Sequence, residues 1–196
     1  ALKALMDDGE IKGKKGEFTL VHTLGRILPA RVLVAGLGKQ DTFDAERVRT
    51  TSARALRYLR VKGIADVATV LLGSGSGGLG AGVSAQTVVE GAMLGLYRFD
   101  KYKSANSESN ELESLTIVEQ DGSTMDEVRE GIELGSTLAD AVNLCRDVSN
   151  EPANFMTPPQ LSEVALDVAR EGGLDLQVLE RGDVADLGIY DVWPVV

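Results

Sequence analysis

The residues best suited by type and spacing to chemistry are the glycines of Gly73-Ser74-Gly75-Ser76-Gly77-Gly78-Leu79-Gly80-Ala81-Gly82. Gly75, Gly77 and Gly80 satisfy a G-x-G-x-x-G spacing between a predicted strand and a predicted helix. That arrangement lets backbone amides cradle a pyrophosphate at a helix N-terminus. Asp100 follows about 20 residues on, where a dinucleotide fingerprint places a ribose-binding acid. In the fingerprint, however, that acid ends the next strand, whereas Asp100 follows a helix and enters a polar loop. No Lys-Ser or Lys-Thr closes the glycine run, so the Walker pattern fails. The bare pattern favours a surface loop, with phosphate binding through Gly75, Gly77 and Gly80 as the alternative.

The other chemical candidates are sparse. Gly36-Leu37-Gly38-Lys39 reads as a strand-to-helix turn with positive φ. His22 is the one histidine and sits in an alternating strand; a histidine-based triad would depend wholly on it, and no Gly-x-Ser-x-Gly elbow is present. One His and one Cys cannot build a nitrogen and sulfur metal site. Asp7, Asp8, Asp183 and Asp186 read as surface helix or turn residues rather than as a carboxylate cluster. Cys145 reads as a small core residue on an apolar helix. No catalytic or metal-ligating residue is assigned.

The bulk numbers narrow the classes. A chain of 196 residues with 43% hydrophobic residues can bury a core, and 5% aromatics makes that core mainly aliphatic. Thirty acids against 20 bases give a net charge of −10, which argues against nucleic acid as a partner. Arg47, Arg49, Arg54, Arg57, Arg60 and Lys62 gather on one predicted helix and read as a solvated face. The single cysteine excludes an intrachain disulfide and points to a reducing compartment. No apolar run approaches the ~20 residues that span a bilayer. The chain opens without Met inside a helical stretch, so upstream residues are expected.

The elements that must position these residues alternate between strand-like and helix-like runs. Phe18 to Leu24 and Arg31 to Leu37 are predicted neighbouring strands, with Val32-Leu33-Val34-Ala35 apolar enough to be covered on both faces. A helix follows from Asp44 to about Lys62, ended by Gly63, with Val48, Ala55, Leu56 and Leu59 on one face. Val67 to Leu72 is a strand, and a helix capped by Ser84 carries Ala85, Val88, Val89, Ala92, Met93 and Leu96. Lys101 to Glu113 is a polar loop, and Leu115 to Glu119 a short strand.

A long helix is predicted from Met125 to Val148, with Val128, Ile132 and Leu138 on one face and Leu134, Ala141, Leu144 and Val148 on a second. A helix apolar on two faces must be covered from two sides. Asn150-Glu151-Pro152-Ala153-Asn154 marks a boundary. Thr157-Pro158-Pro159-Gln160 then opens a helix with a capping box, stopped by Gly172-Gly173, and Leu174 to Leu179 reads as a strand. The alternation indicates an α/β fold with a mixed sheet between helical layers.

Four segments in order carry a family resemblance. They are the run from Gly9-Glu10-Ile11-Lys12-Gly13 to Glu17; Arg31-Val32-Leu33-Val34-Ala35-Gly36-Leu37-Gly38-Lys39; Glu90-Gly91-Ala92 through Tyr97-Arg98-Phe99-Asp100 to Lys103; and Val142-Asn143-Leu144-Cys145-Arg146-Asp147 through Asn150-Glu151-Pro152-Ala153-Asn154, followed by Thr157-Pro158. Together they resemble the M17 leucyl (cytosol) aminopeptidase family. The resemblance implies a macro-domain-like α/β domain over 1–123, a linker helix over 124–149 and the start of the catalytic domain over 150–196. It further implies a cytoplasmic, hexameric parent that removes N-terminal residues from peptides with two divalent metals (Mn, Zn or Mg).

The family's metal ligands and catalytic Lys and Arg lie in Asp-Ser-Gly-Gly and Asp-Ala-Glu-Gly-Arg segments, and neither string occurs here. The fragment is therefore expected to bind no cofactor and to be inactive alone. Its partners would be its own catalytic domain and further copies of the parent, and its role assembly and active-site access. The alternative is a nucleotide or ADP-ribose module using the 73–82 loop, as macro domains do. After Asp186-Leu187-Gly188 the chain departs from the family's methionine-glycine pattern, reading Ile189-Tyr190-Asp191-Val192-Trp193-Pro194-Val195-Val196.

Overall fold

The computed structural model describes residues 2–103 and 110–187. The polar run 104–109 and the divergent tail 189–196 lie outside the described residues. Contacts divide the chain into two compact units, Ala1–Cys145 and Arg146–Val196.

In the first unit a short helix α1 (Leu2–Asp7) precedes β1 (Phe18–His22) and β2 (Arg31–Ala35), which pair antiparallel with Leu20 opposite Leu33. Helix α2 (Ala45–Val61) follows. The Asp44 carboxylate accepts from the Arg47 amide at 2.8 Å, satisfying one of the donors that a helix start leaves free. Its end is the predicted one, since Gly63 takes φ 67° and releases the chain towards β3 (Asp66–Val70).

Next come α3 (Ala81–Leu96), β4 (Ser114–Val118) and α4 (Met125–Asn150). β3 and β4 pair parallel, with Val67 opposite Leu115. One antiparallel and one parallel pair make the fold the expected mixed α/β class, realised as two two-stranded sheets.

Helix α2 supplies the centre of the unit. Leu56 and Leu59 are buried with Ala92 of α3, and Leu20, Leu33, Val67 and Leu115 pack on them from all four strands. Each such aliphatic side chain contributes about 1.5–3 kcal/mol when fully buried. A second cluster joins Leu71, Ala81, Ala85 and Val128, with Ile117 and Ile132 against it. Strand faces turned away from α2 stay open: Asp66, Ala68 and Val70 of β3 are exposed.

Three local expectations are corrected. Ser84 is not the cap of α3; Gly80 is, and Ser84 lies buried in the first turn. There its hydroxyl donates to the Leu72 carbonyl at 2.8 Å, tying the helix to the chain leaving β3. In the second unit α5 (Pro158–Gly172) starts at Thr157 with Pro at its first positions and ends at Gly173, but no side-chain cap bond forms, so Gln160 completes no capping box. Leu174 to Leu179 is not a strand. It has no partner strand among the described residues, and a lone strand leaves its backbone groups unpaired. A short α6 (Arg181–Asp186) follows.

Candidate functional site

A row of large apolar side chains is left uncovered on α4. This helix has 26 residues, a rod of about 39 Å. Its buried row is Val128, Gly131, Gly135 and Ala139, spaced by three and four residues so that they share one face. The glycines let two backbones nearly touch. A Cβ at Gly131 would stand 2.2 Å from the Gly82 carbonyl oxygen of α3, and one at Gly135 2.7 Å from that of Gln86. Because the inward row is small, the large side chains of α4 turn elsewhere. Leu134 (50% exposed), Leu138 (44%) and Val142 (41%) form an i, i+4, i+8 row in solvent, with Ala141 and Leu144 beside it.

The sequence reading placed Leu138 with Val128 and Ile132. The latter two do pack inward, but Leu138 belongs to the outer row. Large apolar residues do not mark the inward face, which is built on the small ones at 131, 135 and 139. Their four-residue spacing was the available signal. Cys145, expected in the core, is exposed, because the covered row ends at Ala139.

Two amides of the glycine loop bond back within it. Gly75–Gly77 forms a single tight turn, the Gly78 amide donates to the Gly75 carbonyl at 3.0 Å, and the Leu79 amide to that of Gly73 at 3.1 Å. The ring of Phe43 packs on Gly73 and Gly77; a Cβ at Gly73 would lie 2.3 Å from its Cε1. Gly80 serves only to cap α3. The start of α4 packs on the same helix end, the Glu127 backbone carbonyl oxygen 3.0 Å from where a Gly82 Cβ would be.

Asp100 lies beyond the far end of α3, whose 16 residues put about 24 Å between the helix ends. It is paired with Arg98 at 2.7 Å and Lys103 at 2.6 Å. The hydrogen bond from Lys103, reinforced by Arg98, holds its carboxyl below the usual carboxylate range. Loop and acid are therefore not brought together, and nothing in this geometry supports the nucleotide reading.

The basic residues of α2 are more occupied than a solvated face would be. Arg47 donates to the Leu37 carbonyl at 3.0 Å, Arg60 to that of Leu96 at 2.9 Å, and Arg54 lies over the Phe18 ring. Arg49 reaches the buried Glu90. Its partial burial opposes its charge, but hydrogen bonds to Glu90 and Glu46 outweigh that and raise its pKa. Only Arg57 and Lys62 keep much of the expected solvated character, alongside an exposed Arg54.

His22 is exposed on β1 opposite Arg31. Gly38 has φ 78° in the predicted turn. Asp7, Asp8, Asp183 and Asp186 are exposed. Among the described residues no three His, Cys, Asp or Glu side chains gather to hold a metal ion, so the metal centre implied by the resemblance does not fit onto these residues. Among the same residues no helix is long and apolar enough to cross a membrane.

Residues 1–106 match the family model described as the cytosol aminopeptidase family, N-terminal domain. A probable cytosol aminopeptidase of Alkaliphilus metalliredigens (strain QYMF) is 32% identical over 190 residues, covering 96% of this chain and 38% of that protein. One of Solibacter usitatus (strain Ellin6076) is 37% identical over 185 residues, covering 94% and 37%. Among solved structures, the bottromycin maturation enzyme BotP is similar with a TM-score of 0.79 at 29% identity, over 96% of this chain and 39% of that one. BotP in complex with Mn gives a TM-score of 0.78 at 28% identity, over 96% and 38%. A tomato leucine aminopeptidase shares the fold, with a TM-score of 0.77 at 22% identity over 95% and 36%. The chain thus spans well under half the length of the relatives it matches.

Proposed function

The chain belongs to the cytosol aminopeptidase family, as its N-terminal domain, and from that premise we propose that it serves assembly and active-site access in a longer, metal-dependent leucyl aminopeptidase. The observation that carries this reading is the outer row of α4, Leu134, Leu138 and Val142, left in solvent although its residues are large and aliphatic. Such contiguous apolar surface marks a contact site. Its occupant would be the catalytic domain of the parent, with copies of the parent arranged as a hexamer in the cytoplasm.

In this reading residues 1–123 are the macro-like domain, 124–149 the linker helix and 150–196 the opening of the catalytic domain. The parent removes N-terminal residues, leucine among them, from peptides. Its divalent metals (Mn, Zn or Mg) and its catalytic acids and bases lie on residues beyond 196. The related BotP in complex with Mn supports the metal requirement. The contribution of this chain is to hold the catalytic domain and its neighbours in place.

Leucine p-nitroanilide hydrolysis with added manganese tests the division of labour. The 196-residue chain should be silent and the full parent active; activity that survives repurification of the short chain would overturn the reading. In the parent, Leu134→Glu with Leu138→Glu should weaken domain or subunit association, seen as a smaller particle by light scattering. In the short chain the same pair should move stability by no more than about 0.5 kcal/mol per site, as exposed substitutions do. An unchanged parent particle would show that the row contacts nothing.

A further inference from the structure

Two glycine-rich turns bring lysines together in the first unit. Gly13-Lys14-Lys15-Gly16 lies beside Gly36-Leu37-Gly38-Lys39. The Gly16 amide donates to the Gly36 carbonyl at 3.1 Å, and the Gly38 amide to that of Gly13 at 2.9 Å. So close an approach demands glycine. A Cβ at Gly36 would collide with the Lys14 carbonyl oxygen, and one at Gly38 would stand 3.2 Å from the Lys15 Cβ. Helix α2 lies against both turns: the same Gly38 position is 3.0 Å from the Arg47 guanidinium, and a Cβ at Gly16 would meet that of Arg54. The carboxylate of Glu17, at the end of the first turn, is spent on the Lys12 and Lys14 amides at 3.0 and 3.1 Å.

Lys14, Lys15, Lys39 and Arg54 are exposed, and none of them has an ion-pair partner among the described residues. Residues 9–62 hold 12 of the 20 bases and only five of the 30 acids, so these cations stand in the basic part of an acidic chain. Like charges gathered without counter-charges repel one another and draw anions towards them. We infer that the paired turns 13–16 and 36–39, with Arg54 of α2, form a binding site for a short acidic peptide segment, whose carboxylates are held by Lys14, Lys15, Lys39 and Arg54. This inference does not rest on the assembly role of α4.

The choice of ligand follows from the rings beside the cluster. Arg54 lies over Phe18 at 5.5 Å, Phe18 stacks on Tyr58 with centroids 6.2 Å apart, and Lys62 lies over Tyr58 at 5.8 Å. Single-stranded nucleic acids are held by bases stacked on free aromatic faces, and here cations lie over those rings. A duplex is stiff over lengths far beyond this patch and would run on past it along an acid-rich molecule. A short acidic peptide needs neither free rings nor a long basic track. Clusters of basic side chains recognise acidic motifs by charge-assisted hydrogen bonds. Arg47 and Arg54, where α2 meets the two turns, are about 10 Å apart along the helix. Three or four extended residues at ~3.3 Å each span that distance.

Fluorescence anisotropy of a labelled hexaglutamate peptide, titrated with the 196-residue chain, tests it. Binding should saturate, and raising salt from about 20 to about 200 mM should weaken it roughly tenfold. Lys14→Gln with Lys39→Gln should also weaken it about tenfold, with Tm unchanged because both side chains are exposed. Carbodiimide coupling of the peptide to the unaltered chain should join it to Lys14, Lys15 or Lys39, read by mass spectrometry. Absence of saturable binding, equal affinity in the double variant, or coupling only to other lysines would overturn the inference. So would tighter binding of an oligothymidylate of equal charge, which would mean that the cluster reads phosphate.

Discussion

The guanidinium of Arg49 on α2 holds the carboxylate of Glu90 on α3, with Nε 2.6 Å from Oε2, and the carboxylate is almost out of solvent at 7% exposure. Gln86 donates to its other oxygen at 2.7 Å. The pair sits where the two helices are forced together, since a Cβ at Gly91 would lie 2.4 Å from the Arg49 carbonyl oxygen. An acid this deep is tolerable only with its partner in place.

Removing one member should therefore cost more than removing both. Arg49→Met should destabilise the chain by about 2–4 kcal/mol, because Glu90 is left buried and unpaired. Arg49→Met with Glu90→Met should recover most of that loss. Urea unfolding of the two variants beside the parent sequence decides it. Equal losses would mean that the pair is held by packing rather than by charge.

Gly135→Ala offers a test in which two effects have opposite sign. In an exposed helix interior Ala is better than Gly by about 1 kcal/mol. Here the new methyl would stand 2.7 Å from the Gln86 carbonyl oxygen, so α3 and α4 must part. Overpacking of this kind costs about 1–3 kcal/mol, and the net effect should be a lowered Tm. Thr137→Ala, on the exposed side of the same helix, should leave Tm unchanged or slightly higher. A rise at 135 would mean that the helices are not in close contact.

Acid should act through two aspartates. The hydroxyl and amide of Ser123 donate to Asp121 at 2.6 and 2.9 Å and hold its carboxyl below the usual range; Lys103 does the same for Asp100. Both folded-state pKa values lie below the unfolded value of about 3.9. Their stabilisation is complete above that pH and is lost as pH falls through the lower, folded values. Asp121→Asn should flatten the loss of stability below pH ~4 and lower stability at neutral pH. An unchanged acid limb in a thermal-melt series would show that the Ser123 bonds contribute nothing.

What could be read in advance follows from which forces are local. Asp44 capping α2 and Gly63 ending it are decided within a turn of chain, and both were legible. The four strands were legible for the same reason, as short apolar runs. The inward face of α4 was not. Helical periodicity counts large apolar residues, whereas contact with α3 selected Gly131, Gly135 and Ala139 for their lack of bulk. Ser84 looked like a cap because capping residues and buried hydroxyl donors are the same residue types. Leu174 to Leu179 has strand-like residues without a strand, since pairing is a property of two segments and one sequence window shows only one.

The glycine loop failed as a site for a related reason. Its spacing is that of a phosphate cradle, yet two of its amides bond within the loop, and Phe43, some 30 residues earlier and invisible to a local pattern, packs on Gly73 and Gly77. Spacing states which backbone shapes are allowed. It does not state who occupies the space.

The open edges of β2 and β3 carry a liability that a finished sheet would not. Unpaired edges recruit any extended segment with hydrogen-bonding groups to offer, and unfolded neighbours have such segments in excess. The short chain should thus be prone to co-aggregate while it folds, more so in a crowded refolding mixture than in a dilute one. Handling it becomes a matter of protein quality control: while those edges stay open, the domain is a template for misassembly.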